Sequence, residues 1–109
     1  MPNFSKGDVV LVRYPFSDLS ASKVRPALVV HAPHPSQDHL IVPLTSRTAA
    51  LLPGEFALTD WSAAGLNVPS VVKRGLYTVD ATLILKHVGK ITPQDASGVE
   101  RSLRLWLGL

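Results

Sequence analysis

Cysteine is absent from the 109-residue chain. Disulfide bonds and thiolate chemistry are therefore excluded, and a reducing compartment is compatible with the sequence. No stretch approaches the roughly 18 uninterrupted apolar residues of a membrane span, and the N-terminal MPNFSKGD lacks the apolar core of a signal peptide. We therefore expect a cytoplasmic protein with no membrane partner, folded as one domain over residues 1–109.

Several signatures of catalysis are also missing. The sequence has no G-x-S-x-G elbow, no phosphate-binding glycine loop and no paired carboxylates at helical spacing. His31, His34 and His39 lie near Asp38, but prolines interrupt the segment and nothing elsewhere completes a four-ligand metal set. His87 is the one distant histidine that could complete an acid–base pair. We expect no metal, no cofactor and solvated loop histidines.

Positive charge is only slightly in excess. Lysine and arginine total 11 against 8 acidic residues, which gives a formal net charge of +3. So small an excess is more often a feature of solubility than of nucleic-acid binding, and we expect the cations to be scattered over the surface. Apolar residues make up 46% of the chain, which is enough to bury a core.

What the sequence does contain is a series of short segments rich in valine, leucine and isoleucine. GDVVLVRYPF, RPALVVHA and HLIVPLTS are bounded by turn-forming residues and predict three strands. EFALTD, PSVVKRGLYTVD and LILKHVGKI predict three or four more. Pro43 cannot donate to a strand ladder, so it predicts an edge strand or a bulge.

In the C-terminal segment TPQDASGVERSLRLWLGL the spacing of apolar residues changes to that of a helix. Thr92 is a plausible N-cap, Pro93 fits the first helical position and Asp95 favours the first turn. Four apolar residues recur at three- and four-residue spacing and predict one apolar face of this helix: Ala96, Val99, Leu103 and Trp106. Short strands followed by one helix predict an α+β fold that is mainly β, arranged as a small, strongly bent β-barrel.

Arg25 stands just before the apolar run ALVV, and Pro26 restricts it to an extended conformation. A guanidinium fixed in this way is a planar, permanently charged fork that suits an anionic ligand. At the end of the next strand, Thr45, Ser46 and Arg47 supply two hydroxyls and a cation, which alone would be an ordinary strand end. Together with Arg25 they form a cluster of donors suited to stabilising charge during attack at phosphorus.

The segments GDVVLVRYPF, RPALVV, VPLTS, YTVD and KHVGKITPQD occur in the order and spacing of the MazF/PemK family. The chain resembles these toxins of type II toxin–antitoxin systems over residues 4–107. The resemblance implies an SH3-like barrel, a homodimer and a metal-independent endoribonuclease that cuts single-stranded RNA, leaving 2′,3′-cyclic phosphate and 5′-hydroxyl ends. Translation and growth would then be inhibited. The family's catalytic arginine and threonine fall on Arg25 and Thr45.

The same resemblance implies how RNA is held. Lys23 and Arg47 would contact backbone phosphates, and Ser46 matches the residue that usually follows the catalytic threonine. Tyr14 and Tyr77 are candidates for stacking on bases. The family usually places a polar, groove-facing residue just before TVD, where this chain has KRGLY. Because of this departure, the RNA sequence that is cut cannot be carried over from the family, and the target itself could be different.

Two alternatives remain open. A non-enzymatic toxin on the same fold, such as a CcdB-like DNA gyrase poison, would depend on the C-terminal LWLGL, and an SH3-like binding module would not need Arg25. Either toxin implies an antitoxin whose acidic, disordered segment covers a basic groove, with operator DNA bound only through that antitoxin. We expect dimer contacts near Trp106 and on the strand that contains Pro43.

Overall fold

The computed structural model describes residues 4–14, 23–32 and 34–109. Within them the mainly β architecture with one C-terminal helix is confirmed. The strands are β1 Asp8–Tyr14, β2 Lys23–Val29, β3 Asp38–Thr45, β4 Phe56–Ala57, β5 Val71–Val72, β6 Tyr77–Asp80 and β7 Ile84–Lys90, and the helix is α1 Pro93–Leu107. A 3₁₀ turn, Ala81–Leu83, joins β6 to β7. Asp80 caps this turn, because its carboxylate accepts from the backbone N–H of Thr82 at 2.8 Å.

The strands pair antiparallel in the order β4-β5-β3-β2-β1-β7, and β6 pairs with one end of β3. Two register shifts along the β1–β7 pair bend the sheet. Among the described strands, β4 and β7 stand at opposite ends and do not pair. The bent sheet therefore stays open, since β4 and β5 have two residues each and carry too short a ladder to close it.

The centre of the sheet is buried on both faces because alternate residues of its strands point to opposite sides. One cluster includes Val9, Leu28, Val42, Leu44 and Val72. The other includes Val10, Val12, Ala27, Val29, Ile41 and Val79. Helix α1 covers the first cluster with Val99, and the remaining residues of the predicted apolar face pack beside it: Ala96, Leu103 and Trp106. The middle strands are thus held rigidly along their length.

Helix α1 begins as predicted, with the Thr92 hydroxyl accepting from the backbone N–H of Asp95 at 3.3 Å. Asp95 does more than occupy the first turn. Its buried carboxylate accepts from the backbone N–H and the hydroxyl of Thr59, at 3.0 and 2.9 Å, and from the N–H of Asp60 at 3.3 Å. These bonds fasten the turn that follows β4 to the start of the helix.

Pro43 does not mark an edge strand, because β3 has neighbours on both sides. On one side β3 pairs with β6 up to Ile41 and with β5 from Leu44 onward, which leaves a break between the two ladders. The Pro43 carbonyl points into that break and accepts from the N–H of Lys73 at 3.0 Å. The nitrogen and carbonyl of one strand residue point to the same side, so the missing N–H falls where no ladder partner stands.

Candidate functional site

The register of β2 and β3 brings Arg25 and Thr45 close together, near the ends of two neighbouring strands. Ala27 pairs with Pro43. Arg25 lies two residues before Ala27, and Thr45 lies two residues after Pro43. Because side chains alternate with a period of two, both project on one side of the sheet at neighbouring strand ends. Two residues separated by a long stretch of sequence therefore become neighbours through strand pairing alone.

These strand ends border an open cleft of about 1080 Å³. Of the seven residues that the sequence singles out, six line it: Lys23, Arg25, Thr45, Ser46, Arg47 and Tyr77. The side chain of the seventh, Tyr14, and the loop that precedes Lys23 lie outside the described residues. Its apolar lining includes Leu11, Pro26, Leu44 and Val88. The cleft therefore combines apolar strand residues with polar and charged side chains.

The positive charge is concentrated here, which corrects the expectation of scattered cations. Five of the chain's eleven lysine and arginine residues line the cleft: Lys23, Arg25, Arg47, Lys73 and Lys86. All five are exposed. Among the described lining residues there is no aspartate or glutamate. A single-sign cleft with apolar walls attracts polyanions, and this property was invisible in a net charge of +3.

Thr45 is the half-buried member of the predicted pair, whereas Arg25 is exposed. The Thr45 Oγ1 accepts from the backbone N–H of Arg47 at 3.2 Å. A hydroxyl that accepts one hydrogen bond still has its own proton to donate. The pair therefore offers a fork of guanidinium donors and one oriented hydroxyl at adjacent strand ends, which suits the non-bridging oxygens of a phosphate.

Four polar lining residues were not among the predicted site residues: Asn67, Ser70, Lys73 and Lys86. Lys86 is opposite Leu11 in the β1–β7 pair, so it reaches the cleft through a strand far away in sequence. Lys73 belongs to the KRGLY segment, whose basic character was the available signal. Ser70 is buried and its hydroxyl donates to the carbonyl of Val68 at 3.0 Å, so it shapes the loop.

One wall of the cleft is a loop, residues 65–70, which we call the wall loop. It is braced against β7 by two glycines. Gly65 has φ +88°, and a Cβ there would overlap the carbonyl oxygen of Val88. A Cβ on Gly89 would overlap the carbonyl oxygen of Ala64. Both positions need glycine because two backbones approach each other closely.

Gly75 has a related role inside KRGLY. A Cβ at this position would lie 2.9 Å from Cε2 of Tyr77 and 3.3 Å from Cδ of Pro43. The missing side chain therefore gives the Tyr77 ring room beside Pro43. Tyr77 remains 38% exposed at the rim of the cleft, which leaves part of its ring available for stacking.

The clustered histidines are not simply solvated loop residues. His39 lies in β3, and its Nδ1 is 2.7 Å from Nε2 of His31, with both rings half-buried. The ring of Phe4 packs edge-on against His39. Burial, and then the neighbouring His31, lower the pKa of His39, which Asp38 and Asp80 partly oppose. This pair lies at the opposite ends of β2 and β3 from Arg25 and Thr45.

Two features of the described part of the chain concern the other sequence expectations. No three histidine, cysteine, aspartate or glutamate side chains within it are grouped so that they could hold a metal ion. Its helix is also too short and too polar to cross a membrane.

Residues 5–107 match the family model of the PemK-like, MazF-like toxins of type II toxin–antitoxin systems. Among curated protein sequences, none matches the chain.

Solved structures with low sequence identity share the fold. An endoribonuclease in complex with its cognate antitoxin, from a mycobacterial species, is 21% identical, with 98% of this chain and 97% of that chain covered and a TM-score of 0.77. The Mycobacterium tuberculosis toxin MazF-mt6 is 20% identical, with 94% and 97% covered and a TM-score of 0.75. The MazE–MazF structure from Deinococcus radiodurans is 20% identical, with 96% of each chain covered and a TM-score of 0.76. Since the family model spans nearly the entire sequence, this chain belongs to the PemK-like, MazF-like toxins of type II toxin–antitoxin systems.

Proposed function

We propose that this toxin is a sequence-specific endoribonuclease that cuts single-stranded RNA, messenger RNA above all. The observation that carries the proposal is the cleft that Arg25 and Thr45 both line, which has five cations in all, Arg25 included, and no carboxylate among the described lining residues. A binding site for a polyanion needs this charge, and a phosphoryl-transfer site needs fixed donors at its centre. Solved structures of similar fold are described as endoribonucleases, which supports the same activity.

The chemistry that fits these groups uses the RNA's own nucleophile. The 2′-hydroxyl attacks the adjacent phosphorus and loses its proton to solvent water, a bond forms between the 2′-oxygen and phosphorus, and the bond from phosphorus to the 5′-oxygen breaks. The products are a 2′,3′-cyclic phosphate and a 5′-hydroxyl that has gained a proton. DNA lacks the 2′-hydroxyl and is not cut. No activated side-chain nucleophile or metal is required by this scheme.

Arg25 and Thr45 stabilise the charge that grows on the phosphorane oxygens. The Arg25 fork binds two oxygens through its positively charged guanidinium. It is a poor base but can pass a proton to the leaving 5′-oxygen. Thr45 donates its hydroxyl proton to a non-bridging oxygen. Removing one fixed donor of this kind costs on the order of 10²–10³ in rate in other enzymes.

The remaining lining residues hold the strand. Lys23 and Arg47 contact backbone phosphates, which position RNA without reading its sequence. Ser46 donates to the same backbone, and Tyr77 stacks on a base. Tyr14 stays a candidate for stacking.

The biological consequence is inhibition of translation and growth in the cytoplasm. The toxin acts as a homodimer, and an antitoxin with an acidic, disordered segment blocks the cleft by occupying its cations. Operator DNA is bound only through that antitoxin. Toxin–antitoxin complexes among the structures of similar fold support this arrangement. The dimer contacts near Trp106 and Pro43 stay predictions.

The test is a cleavage assay on a long, largely single-stranded RNA in EDTA, comparing the wild type with Arg25→Ala. We expect discrete fragments ending in cyclic phosphate, which disappear with the variant. Absence of cleavage by folded, antitoxin-free protein would contradict the proposal and favour a gyrase poison or a binding module. Cleavage that persists in Arg25→Ala would keep the nuclease but refute the role of Arg25.

A further inference from the structure

Lys73 and its neighbour Arg74 are placed differently, although both are exposed cations in the KRGLY segment. Lys73 lines the cleft, whereas Arg74 is not among the described lining residues. One cation of this pair thus faces the proposed RNA and the other does not. Because Lys73 and Arg74 have the same charge but different placement, substitutions of the two can be compared to test whether Lys73 binds an anion.

The backbone that carries Lys73 is fixed at two points. The N–H of Lys73 donates to the carbonyl of Pro43 at 3.0 Å. The N–H of Arg74 donates to Oε2 of Glu55 at 2.9 Å, and Oε1 of the same carboxylate accepts from the N–H of Leu52 at 2.8 Å. Glu55 therefore clamps two separate segments together. The hydrogen bonds from Arg74 and Leu52 lower the pKa of Glu55, so the clamp is ionised at neutral pH.

The sheet order places Lys73 and Lys86 on opposite sides of Arg25. From β2, which carries Arg25, two steps through β3 lead to β5 and its following residue Lys73. Two steps in the other direction, through β1, lead to β7 and Lys86. Neighbouring strands are about 4.8 Å apart, so the backbone of each lysine lies two strand spacings, on the order of 10 Å, from the backbone of β2. Both line the same cleft.

We propose that Lys73 and Lys86 bind the backbone phosphates on either side of the phosphate held by Arg25 and Thr45. The RNA strand then crosses the ends of the β-strands from β5 towards β7. Glu55 acts as the positioning residue for Lys73. The inference rests on the proposed RNA-cleaving function and adds the direction of the strand and two of its anchors.

Lysine suits this role for a physical reason. Its ammonium is a point charge on a flexible stem, which binds phosphate without demanding one geometry. Contacts of this kind position a strand but do not read bases. Lys73 and Lys86 therefore add affinity for RNA of any sequence, whereas Arg25 and Thr45 act on the reacting phosphate.

The first experiment measures RNA binding against salt concentration. The ligand is a single-stranded oligonucleotide spanning a mapped cleavage site, with a 2′-deoxy substitution that blocks attack. Lys73→Ala and Lys86→Ala should each reduce the slope of log K against log salt by about 0.7, and the double variant by about 1.4. The matched control, Arg74→Ala, keeps its backbone N–H for Glu55 and should leave the slope unchanged.

The second experiment locates each contact. Single phosphates of the oligonucleotide are replaced by neutral methylphosphonates, one at a time. The replacement that weakens wild-type binding but not Lys73→Ala binding identifies the phosphate of Lys73, and the same comparison identifies that of Lys86. The two must fall on opposite sides of the scissile bond. Both on one side, or no such phosphate for either lysine, would overturn the inference.

The role of Glu55 is tested by a double-mutant cycle. Glu55→Gln should weaken RNA binding in the wild-type background and add nothing in the Lys73→Ala background. A general loss of structure would instead weaken binding equally in both backgrounds, and would refute the positioning role.

The outcomes separate this inference from the proposed function. A wild-type protein that neither binds nor cuts RNA refutes both. A wild-type protein that binds and cuts, with Lys73→Ala indistinguishable from Arg74→Ala, refutes the inference alone.

Discussion

The hydroxyl oxygen of Thr45 accepts a hydrogen bond from the backbone N–H of Arg47, two residues further along the chain. This bond orients the hydroxyl at the end of β3, so that its proton is available to the cleft. Because β3 is otherwise held by ladders on both sides, the donor is set before any substrate arrives. Preorganised donors of this kind do not have to be reoriented during the reaction.

Replacing Thr45 by valine should therefore lower the rate of RNA cleavage by about 10²-fold with little change in folding. Valine keeps the shape but removes the donor. Thr45→Ser, which keeps the hydroxyl, should retain most of the activity. Single-turnover cleavage of one RNA, with circular dichroism as a check on folding, measures this. An equal loss in both variants would indicate that the methyl group, rather than the hydroxyl, is what matters.

Asp95 should be important for stability although it lies outside the cleft. Asp95 is 1% exposed, and its carboxylate accepts four hydrogen bonds from three donor groups of Thr59 and Asp60, at 2.9–3.3 Å. Asp95→Ala leaves those donors without their acceptor and should lower the free energy of unfolding by about 1.5–3 kcal/mol. Urea denaturation measures the change.

Glu100 provides the control for that experiment. Its carboxylate pairs with Arg104 at 3.6 Å on an exposed part of the same helix. Glu100→Ala should change the free energy of unfolding by no more than about 0.5 kcal/mol. A similar loss in both variants would show that charge near the helix, rather than the buried hydrogen bonds, stabilises the protein.

The pair of His31 and His39 predicts a pH dependence of stability. The pKa of His39 is lowered in the folded protein by burial and by His31. The unfolded chain therefore takes up a proton on this residue at a higher pH than the folded protein does. The stabilising contribution is complete above about pH 6.5 and is lost as the pH falls towards the lower folded-state pKa.

Urea unfolding at pH 7.5, 6.5 and 5.5 tests this directly. The free energy of unfolding of the wild type should decline across that range, and His39→Gln should remove part of the decline. His34→Gln is the control, since His34 is exposed and its ring accepts from the N–H of Ser36 at 3.0 Å. A decline that persists unchanged in His39→Gln would place its origin in other groups.

Gly89 should link the shape of the cleft to the stability of β7. A side chain at this position would overlap the carbonyl oxygen of Ala64, just before the wall loop. Gly89→Ala should lower the free energy of unfolding by about 1–3 kcal/mol and weaken RNA binding, because the loop must move. Gly108→Ala is the control: its φ of +71° strains an alanine and lowers stability, but its Cβ would meet nothing within 4 Å, so RNA binding should not change. RNA binding equal to the wild type in Gly89→Ala would contradict this link.

Much of the fold could be predicted because its signals are local. Runs of β-branched residues between turn-forming residues marked the strands, and the change of period at Thr92 marked α1. Pro43 predicted an edge strand or a bulge, but a missing N–H can also be accommodated at a break between two ladders, as it is here. Only the pairing of β3 with both β5 and β6 distinguishes them.

Site residues that belong to a sequence motif could be predicted, whereas those that reach the cleft only through strand pairing could not. Arg25 and Thr45 came from short ordered segments of a family pattern, although their roles stay proposals. Lys86 reaches the cleft through β7, and Lys73 through a bond to Pro43. The pairings that bring the two lysines to the cleft leave no trace in residue spacing, although the basic composition of KRGLY was a signal for Lys73. The buried carboxylate of Asp95 was missed for the same reason, since its partners are 35 and 36 residues away.

The double-sided burial of β2 and β3 has a consequence for how this protein can evolve. Their apolar residues are enclosed on both faces, so most substitutions there destabilise the chain and tend to be removed by selection. The wall loop and the KRGLY segment carry exposed residues around the same cleft. Mutation can accumulate in those outer segments while the inner strands stay fixed, so lineages can diversify in what they recognise while keeping one reaction.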